Sequence, residues 1–158
     1  MALSDDLHHK LDALYAHWQA LTPDSPEDDF AAFASFFDEN CTAWLLSMRD
    51  FDTPSIGRAG VITGIKAALK DSQIRERRVI DRSSTGRKVF CETSNVLTVY
   101  GKIVDPFPET TVAVFGEGGL VLDFKIYSCR SKVVALVQDA TGAGPYKRAE
   151  VEVACHCE

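Results

Sequence analysis

The sequence lacks an apolar run of the ~18 residues that a membrane span requires. Its first nine residues contain no basic segment followed by an apolar one, so we predict no secretory signal peptide. The five cysteines are odd in number, which on such a chain favours reduced thiols over a disulfide framework. We therefore expect a cytoplasmic protein that has no membrane partner.

Positive charge is also scarce. The chain has 17 Lys and Arg against 23 Asp and Glu, which gives a net charge of −6. Partners with phosphate backbones or anionic lipid surfaces generally require a basic surface. The one basic cluster runs from Arg75 to Lys88, and Glu76 and Asp81 interrupt it, so we interpret it as a solvated or ion-paired strand face. Nucleic acid is not an expected partner.

The common cofactor and metal motifs are missing as well. Gly116-Glu-Gly-Gly119 lies in a predicted hairpin rather than before a helix, so it does not cradle phosphate. No serine nucleophile elbow and no zinc spacing occur. Cys155-His-Cys157 is a single Cys-x-Cys, and we assign it to a flexible C-terminal tail over 147–158. We expect neither a cofactor nor a metal.

What the sequence does contain is a long region of β-strand character between Gly86 and Cys129. Segments rich in Val, Ile, Thr, Phe and Tyr, separated by turns with Gly and Pro, predict antiparallel strands over 88–100, 110–115 and 120–129. A polar residue inside such a strand either faces water or lines a pocket. The polar residues in question are Glu92, Asn95, Asp123 and Lys125.

The residues before this region predict helices and two further strands. Leu7, Leu11 and Trp18 recur at helical spacing, which indicates that a helix over about 4–21 has one apolar face. Helices first and strands last indicate one α+β domain over 1–146. We expect a curved antiparallel sheet that forms a cone, with three helices on its concave face and room for a pocket between the layers. The remaining segments are a helix over 27–37, a strand over 41–47, a helix over 58–70, a strand over 74–83, and a short helix or extended arm over 131–138.

Three segments carry a resemblance to a known superfamily. They are Phe37-Asp-Glu-Asn-Cys-Thr-Ala-Trp44, Gly57-Arg-Ala-Gly60 at the start of the third helix, and a Gly-Gly-Leu-Val turn before the last strand. With this element order, residues 5–130 resemble the nuclear transport factor 2-like superfamily. The chain is most similar to its SnoaL-like polyketide cyclases and ketosteroid isomerase-like proteins, including small fungal isomerases and cyclases of polyketide, meroterpenoid and alkaloid biosynthesis. The resemblance implies cofactor-free chemistry and a homodimer.

The resemblance also indicates where a ketosteroid isomerase would carry its acids. The general base of that family lies near the end of the first strand, where this chain has Trp44. The second acid lies on the penultimate strand, near Thr111. Neither position keeps a carboxylate, so we expect that this chain does not use that pair. The family's helix-one tyrosine is matched by Tyr15, and its pocket aromatic on the last strand by Tyr127.

Two other polar residues are candidates for the chemistry. Glu92 lies in the middle of a strand, and a carboxyl group buried in an apolar cavity has a raised pKa that allows proton transfer near neutral pH. The alternative is that Glu92 is an exposed partner of a Lys or Arg. Arg49 follows the first strand, where it either binds a substrate oxyanion or forms a solvated pair with Asp50.

The last strand has two possible inward faces, because side chains alternate along a strand. One face carries Asp123, Lys125 and Tyr127, and the resemblance favours it. The other carries the apolar residues at 122, 124 and 126, and the general burial of apolar side chains favours that one. Both alternatives stay open at this point.

These observations support two hypotheses. The first is a cofactor-free isomerase or cyclase for a hydrophobic, polycyclic secondary metabolite, in which Glu92 or Asp123 moves a proton. The residues that could stabilise the oxyanion that develops are Tyr15, Tyr127, Asn95 and Arg49. The second is a ligand-binding or protein-interaction module that performs no chemistry. The side chains that we expect to line a substrate pocket are Tyr15, Trp18, Trp44, Asn95, Phe115 and Lys125.

Overall fold

The computed structural model describes residues 2–46 and 53–147, with side chains from residue 4 onward. Within these residues the chain forms four helices and seven strands. The helices are α1 (Ala2–Ala20), α2 (Glu27–Ala34), α3 (Gly57–Asp71) and α4 (Ser131–Thr141). The strands are β1 (Phe37–Trp44), β2 (Ser55–Ile56), β3 (Ser72–Glu76), β4 (Val79–Thr85), β5 (Lys88–Val99), β6 (Lys102–Phe115) and β7 (Val121–Ser128).

All seven described strands belong to one curled sheet. Its order is β2-β1-β7-β6-β5-β3, and β4 also pairs with β5. β1 runs parallel to β7, so the sheet is mixed where the sequence predicted an antiparallel one. Register shifts interrupt the pairings of β5 with β3, β4 and β6, and such irregularities bend and twist a sheet. The predicted α+β cone is confirmed, with a parallel pair at the β1–β7 step.

The apolar face predicted for α1 packs on the concave side of this sheet. Leu7, Leu11 and Trp18 are buried there, which follows from their helical spacing. Aromatic rings fill the space between the layers. The Phe37 ring lies 5.6 Å from that of Phe33 on α2 and 5.8 Å from that of Phe124 on β7. Burial of these rings supplies the main apolar contribution to stability in this layer.

A second apolar cluster holds α4 against the other end of the sheet. Val133 and Leu136 pack with Leu97, Val99 and Phe107 of the two longest strands. Residues 131–138, for which the sequence left a helix or an extended arm open, are therefore helical. This fourth helix adds to the three that were predicted, and it packs on β5 and β6.

β6 is longer than the sequence predicted. The strand begins at Lys102 and contains Pro106 and Pro108, which the sequence analysis placed in a turn before a strand over 110–115. Asn95 pairs with Phe107 and Leu97 with Val104, so a register shift lies beside Pro106. Because a proline has no N–H to donate, it is accommodated in a sheet at such irregular positions. The longer strand brings residue 109 into the sheet.

Some predicted features lie outside the described residues. They are Arg49 and the proposed tail over 147–158, apart from Lys147. Within the described part of the chain, no helix is long and apolar enough to cross a membrane.

Candidate active site

A narrow cavity opens between the concave face of the sheet and the helices. Its enclosed part has a volume of about 40 Å³, and the free space including the open mouth is about 460 Å³. This is room for a few water molecules or a slim ligand. The polar lining residues are Ser72, Glu109, Ser128 and Arg130, and the apolar ones are Trp18, Leu45, Leu46, Ala68, Ile74, Leu97, Phe107, Ile126 and Val133.

Glu109 is the one carboxylate among the described residues that line this cavity. It lies on β6, where Phe107, Thr111 and Ala113 are buried on the same face, because side chains two residues apart point the same way. Glu109 itself is half-buried. Burial disfavours the charged carboxylate and raises the pKa of Glu109 to about 7. This side chain therefore exchanges a proton near neutral pH.

Two neutral polar side chains donate hydrogen bonds to the Glu109 carboxyl group, and a third contacts one of those two. The Tyr15 hydroxyl donates to Glu109 Oε1 at 3.2 Å, and the Asn95 amide donates to the same oxygen at 3.4 Å. The Tyr15 hydroxyl also lies 2.5 Å from Thr111 Oγ1. Both hydrogen bonds to Glu109 end on Oε1, so within the described residues Oε2 is the oxygen that remains for a reacting partner.

Tyr15 is held on several sides. Its ring stacks on that of Trp18 with centroids 5.6 Å apart, and the Arg77 guanidinium carbon lies 4.4 Å from the Tyr15 ring centroid. Burial, aided by the neighbouring Glu109 charge, raises the pKa of the Tyr15 phenol well above its usual value. Tyr15 is therefore a neutral hydroxyl that donates and accepts hydrogen bonds at neutral pH.

Arg130 brings a positive charge to the same cavity. It lies between β7 and α4, and its Nη1 donates to the backbone oxygen of Leu46 at 2.9 Å. Burial raises the pKa of Glu109, and the charge of Arg130 lowers it because that charge favours the ionised carboxylate. The cavity therefore combines a carboxyl group that titrates near neutrality with a permanent cation.

Three of the predicted residues meet at this site. Tyr15, Trp18 and Asn95 were expected to line a substrate pocket. Trp18 lines the cavity, and Tyr15 and Asn95 hold the carboxylate that lines it. The sequence analysis identified the surrounding residues but missed Glu109 itself.

Glu92 does not reach the cavity. Around Glu92 on β5 the buried side chains are those of Cys91, Thr93 and Asn95, so Glu92 alternates to the opposite, exposed face. The interpretation of Glu92 as a pocket acid is corrected accordingly. The physical reason is that the apolar Cys91 side chain and the hydrogen-bonded Thr93 hydroxyl occupy the inward positions on either side.

The last strand turns two of the three residues of its predicted apolar face inward, and the third, Leu122, is exposed. Phe124 and Ile126 are buried, whereas Asp123 and Lys125 form an ion pair of 2.9 Å at half-exposed positions and Tyr127 is exposed. The polar face that the resemblance favoured is therefore not the face that lines the cavity. The aromatic core supplies the reason, because Phe124 packs against rings of α1 and β1.

The remaining predicted pocket residues lie elsewhere. Phe115 is buried in the main apolar core. Trp44 lies 5.0 Å from Lys125 Nζ, measured to the ring centroid, in a cation–π contact. Trp44 also lines a wider opening between β1, β2 and α3, whose described lining carries hydroxyl groups but no ionisable side chain. We therefore place the candidate site at the cavity of Glu109.

A sequence signal for Glu109 was available. Counting back in steps of two from the apolar Phe115 gives Ala113, Thr111 and then Glu109 on one strand face. This position is two residues from Thr111, which the family comparison had marked as lacking a carboxylate. Among the described residues, no group of three or more His, Cys, Asp and Glu side chains is arranged for a metal ion.

Comparisons with solved structures identify the fold. A protein assigned as a SnoaL-like polyketide cyclase from Jannaschia is similar with a TM-score of 0.67 at 13% identity, over 87% of this chain and 94% of that one. An LEH-like epoxide hydrolase from M. tuberculosis gives a TM-score of 0.62 at 12% identity, over 86% and 92%. A hypothetical protein with a ketosteroid isomerase-like fold from Catenulispora acidiphila, in complex with trimethylamine, gives 0.63 at 15%, over 81% and 91%.

These likenesses establish the cone fold that nuclear transport factor 2-like and ketosteroid isomerase-like proteins share. No sequence-family model matches the chain, and no curated protein matches it by sequence. The similar structures carry different activities in their descriptions, so the fold by itself does not select a reaction. The argument for function rests on the side chains in the cavity.

Proposed function

We propose that this protein is a cofactor-free isomerase or cyclase in which Glu109 transfers the proton. The observation that carries the proposal is a carboxyl group with a pKa of about 7, held by Tyr15 and Asn95 at the wall of a largely apolar cavity. A general acid–base group acts best when its pKa lies near the working pH, because both of its forms are then populated.

The proposed step is proton abstraction next to a carbonyl group. Ionised Glu109 takes the proton of a substrate C–H bond through Oε2, and the electron pair of that bond moves to form an enolate. The positive charge of Arg130 stabilises the negative charge that develops on the carbonyl oxygen. Neutral Glu109 then returns the proton to another carbon in an isomerisation. In a cyclisation the enolate carbon instead attacks a second carbonyl carbon of the same substrate, and Glu109 gives its proton to the alkoxide oxygen that forms there.

The apolar lining favours a hydrophobic substrate. Trp18, Phe107 and Ile126 offer aromatic and aliphatic surface beside the polar group of residues. The enclosed space admits only a few water-sized groups, so a substrate can place no more than an edge inside it. We propose that a polycyclic secondary metabolite, the class suggested by the sequence resemblance, would insert one edge and extend through the mouth. The homodimer suggested by the same resemblance remains a prediction.

The test is deuterium exchange at the carbon next to the carbonyl in a panel of apolar ketones, followed by proton NMR in heavy water. We expect the wild-type protein to accelerate exchange for at least one ketone, and Glu109→Gln to lower that rate by roughly 10²–10⁴-fold. Glu92→Gln is the matched control, because it removes a carboxylate from the outer face. Equal rates for wild type and Glu109→Gln would overturn the proposal.

A binding module without chemistry is the second candidate, and the narrowness of the cavity favours it. Under this alternative, ligand-observed NMR would detect binding of an apolar ketone, while no member of the panel would exchange faster than in buffer. Glu109→Gln would then change affinity without changing any rate.

A further inference from the structure

A buried cation, Arg77, contacts Tyr15, the residue that donates a hydrogen bond to Glu109. The Arg77 side chain is 7% exposed, and it follows β3 in the chain. Its Nη1 donates to Asp12 Oδ1 at 2.7 Å, and its Nη2 donates to Cys91 Sγ at 3.1 Å. Its guanidinium carbon lies 4.4 Å from the centroid of the Tyr15 ring. The guanidinium is thus fixed by α1 and β5 while it faces the tyrosine that holds Glu109.

The position of Asp12 shows how this arrangement arises. Asp12 and Tyr15 are three residues apart on α1, so they lie on the same face of the helix. An arginine that pairs with Asp12 is thereby brought over the Tyr15 ring. Arg82 binds the other oxygen of Asp12 at 2.8 Å from a more exposed position. Asp12 therefore joins two arginines, of which one contacts the site and the other does not.

A purely structural role for this arginine would be costly. Arg77 Nε is buried and has no hydrogen-bond partner among the described residues. Removing a donor from water without giving it a partner destabilises a fold. A buried ion pair is often no more stabilising than apolar side chains of similar volume. The contact with Tyr15 suggests that this buried charge acts on the Tyr15 side chain in addition to packing there.

We propose that Arg77 is a positioning residue for the Tyr15–Glu109 pair. Its guanidinium holds the Tyr15 ring by a cation–π contact, so that the hydroxyl stays against Glu109 Oε1. Its charge favours the ionised carboxylate that accepts the substrate proton. The proposal rests on the function proposed above for Glu109, and it adds a residue that lies outside the cavity lining.

The other ionisable groups around Tyr15 and Glu109 must be considered before the change in the pKa of Glu109 is predicted. Arg130 faces Glu109 from the loop before α4, and its charge also favours the ionised form. The Cys91 thiol on β5 has a raised pKa because it is buried, so it is neutral and accepts the Arg77 hydrogen bond. Although burial works to raise the pKa of Asp12, hydrogen bonds from its two arginines hold that pKa below the usual value. The Arg77 charge itself favours the ionised form of Glu109. Its loss therefore raises the pKa of that carboxyl group.

The experiment follows the Glu109 carboxyl carbon by NMR as a function of pH in protein labelled with ¹³C-glutamate. The signal that disappears in Glu109→Gln assigns the residue. In Arg77→Met we expect the titration midpoint of Glu109 to rise by roughly half a pH unit or more. Arg77→Lys, which keeps the charge, should return the midpoint toward that of the wild type. Should Arg77→Met not fold, Arg77→Gln carries the same expectation.

Arg82→Met is the matched control, because it removes an ion pair with the same Asp12, whereas among the described residues the cation over the Tyr15 ring is Arg77. It should leave the Glu109 midpoint unchanged. An unchanged midpoint in both neutral Arg77 variants, or an equal shift in Arg82→Met, would refute the role of Arg77. In that case a wild-type midpoint near 7 would leave the proposed function standing. A wild-type midpoint near 4.5, the usual value for Glu, would remove the basis of both.

Discussion

A carboxyl group with a pKa near 7 makes the stability of the fold depend on pH. The pKa of Glu109 is about 7 in the folded chain and 4.5 in the usual, unfolded environment. Below pH 4.5 the group is protonated in both states, and above pH 7 it is ionised in both. Between these values the folded state binds more protons, so this group makes the fold progressively less stable as the pH rises. The penalty is largest above pH 7.

Glu109→Gln removes this penalty, since the amide keeps the shape of the side chain and stays neutral. We expect the variant to be more stable than the wild type by roughly 2–3 kcal/mol at pH 8, and to lose that advantage at pH 4. Urea denaturation at pH 4, 6 and 8 measures the difference. Glu92→Gln is the control variant, because it replaces a carboxylate on the exposed face of the same sheet. A difference for Glu109→Gln that does not vary with pH would contradict the assignment.

At the residue scale, helical periodicity was the most informative part of the sequence. It placed Trp18 on the buried face of α1, and the resemblance stated from the sequence singled out Tyr15 on the same helix. Glu109 was missed because Pro106 and Pro108 precede it and indicate a turn by ordinary rules. The strand continues through both prolines because its pairing with β5 is irregular there, and that depends on contacts between distant parts of the chain.

At the scale of elements, the start of α3 depends on a close backbone approach. Gly57 has φ +64°, and a Cβ at this position would lie 2.7 Å from the backbone oxygen of Glu39 on β1. Arg58 strengthens the same junction, because its Nε donates to the Phe37 oxygen at 2.8 Å. The Gly-Arg-Ala-Gly segment that carried part of the resemblance thus fixes a helix against the first strand.

Gly57→Ala should be considerably more destabilising than Gly86→Ala. Both glycines have positive φ, +64° and +59°, but nothing lies within 4 Å of a Cβ at Gly86. The left-handed conformation costs each alanine variant about 1–2 kcal/mol, and Gly57→Ala must also displace backbone. Thermal or urea unfolding of the two variants measures the difference. Equal losses would mean that α3 and β1 separate without cost at this point.

The choice of the inward face of the last strand shows what a sequence pattern cannot determine at this scale. A period of two specifies which residues share a face, and it does not specify which face is inward. For β7 the decision came from Phe124, whose ring is packed among those of Tyr15 and Phe37. These partners come from α1 and β1, which are more than 80 residues away in the chain. Tertiary packing therefore outweighed the polar alternative.

At the scale of the whole molecule, the order of elements was sufficient to predict the cone but not the volume of its cavity. Helices that precede a run of strands indicate two layers. How much space stays open between the layers depends on α4, which packs Val133 and Leu136 against β5 and β6. The sequence left open whether that segment is a helix or an extended arm. It therefore offered no basis for predicting the size of the cavity.

α4 also offers a way to test whether the cavity is the binding site. Val133 and Leu136 are both buried on this helix, but only Val133 lines the cavity. Val133→Ala removes two methyl groups from the wall and enlarges the free space. We expect it to shift the ratio of affinities toward a two-ring over a one-ring aromatic ketone, measured by ligand-observed NMR or calorimetry. Leu136→Ala should lower stability by about 2–4 kcal/mol and leave that ratio unchanged. If both variants change the ratio equally, ligands bind elsewhere or respond only to loosened packing, and the cavity loses its place as the candidate site.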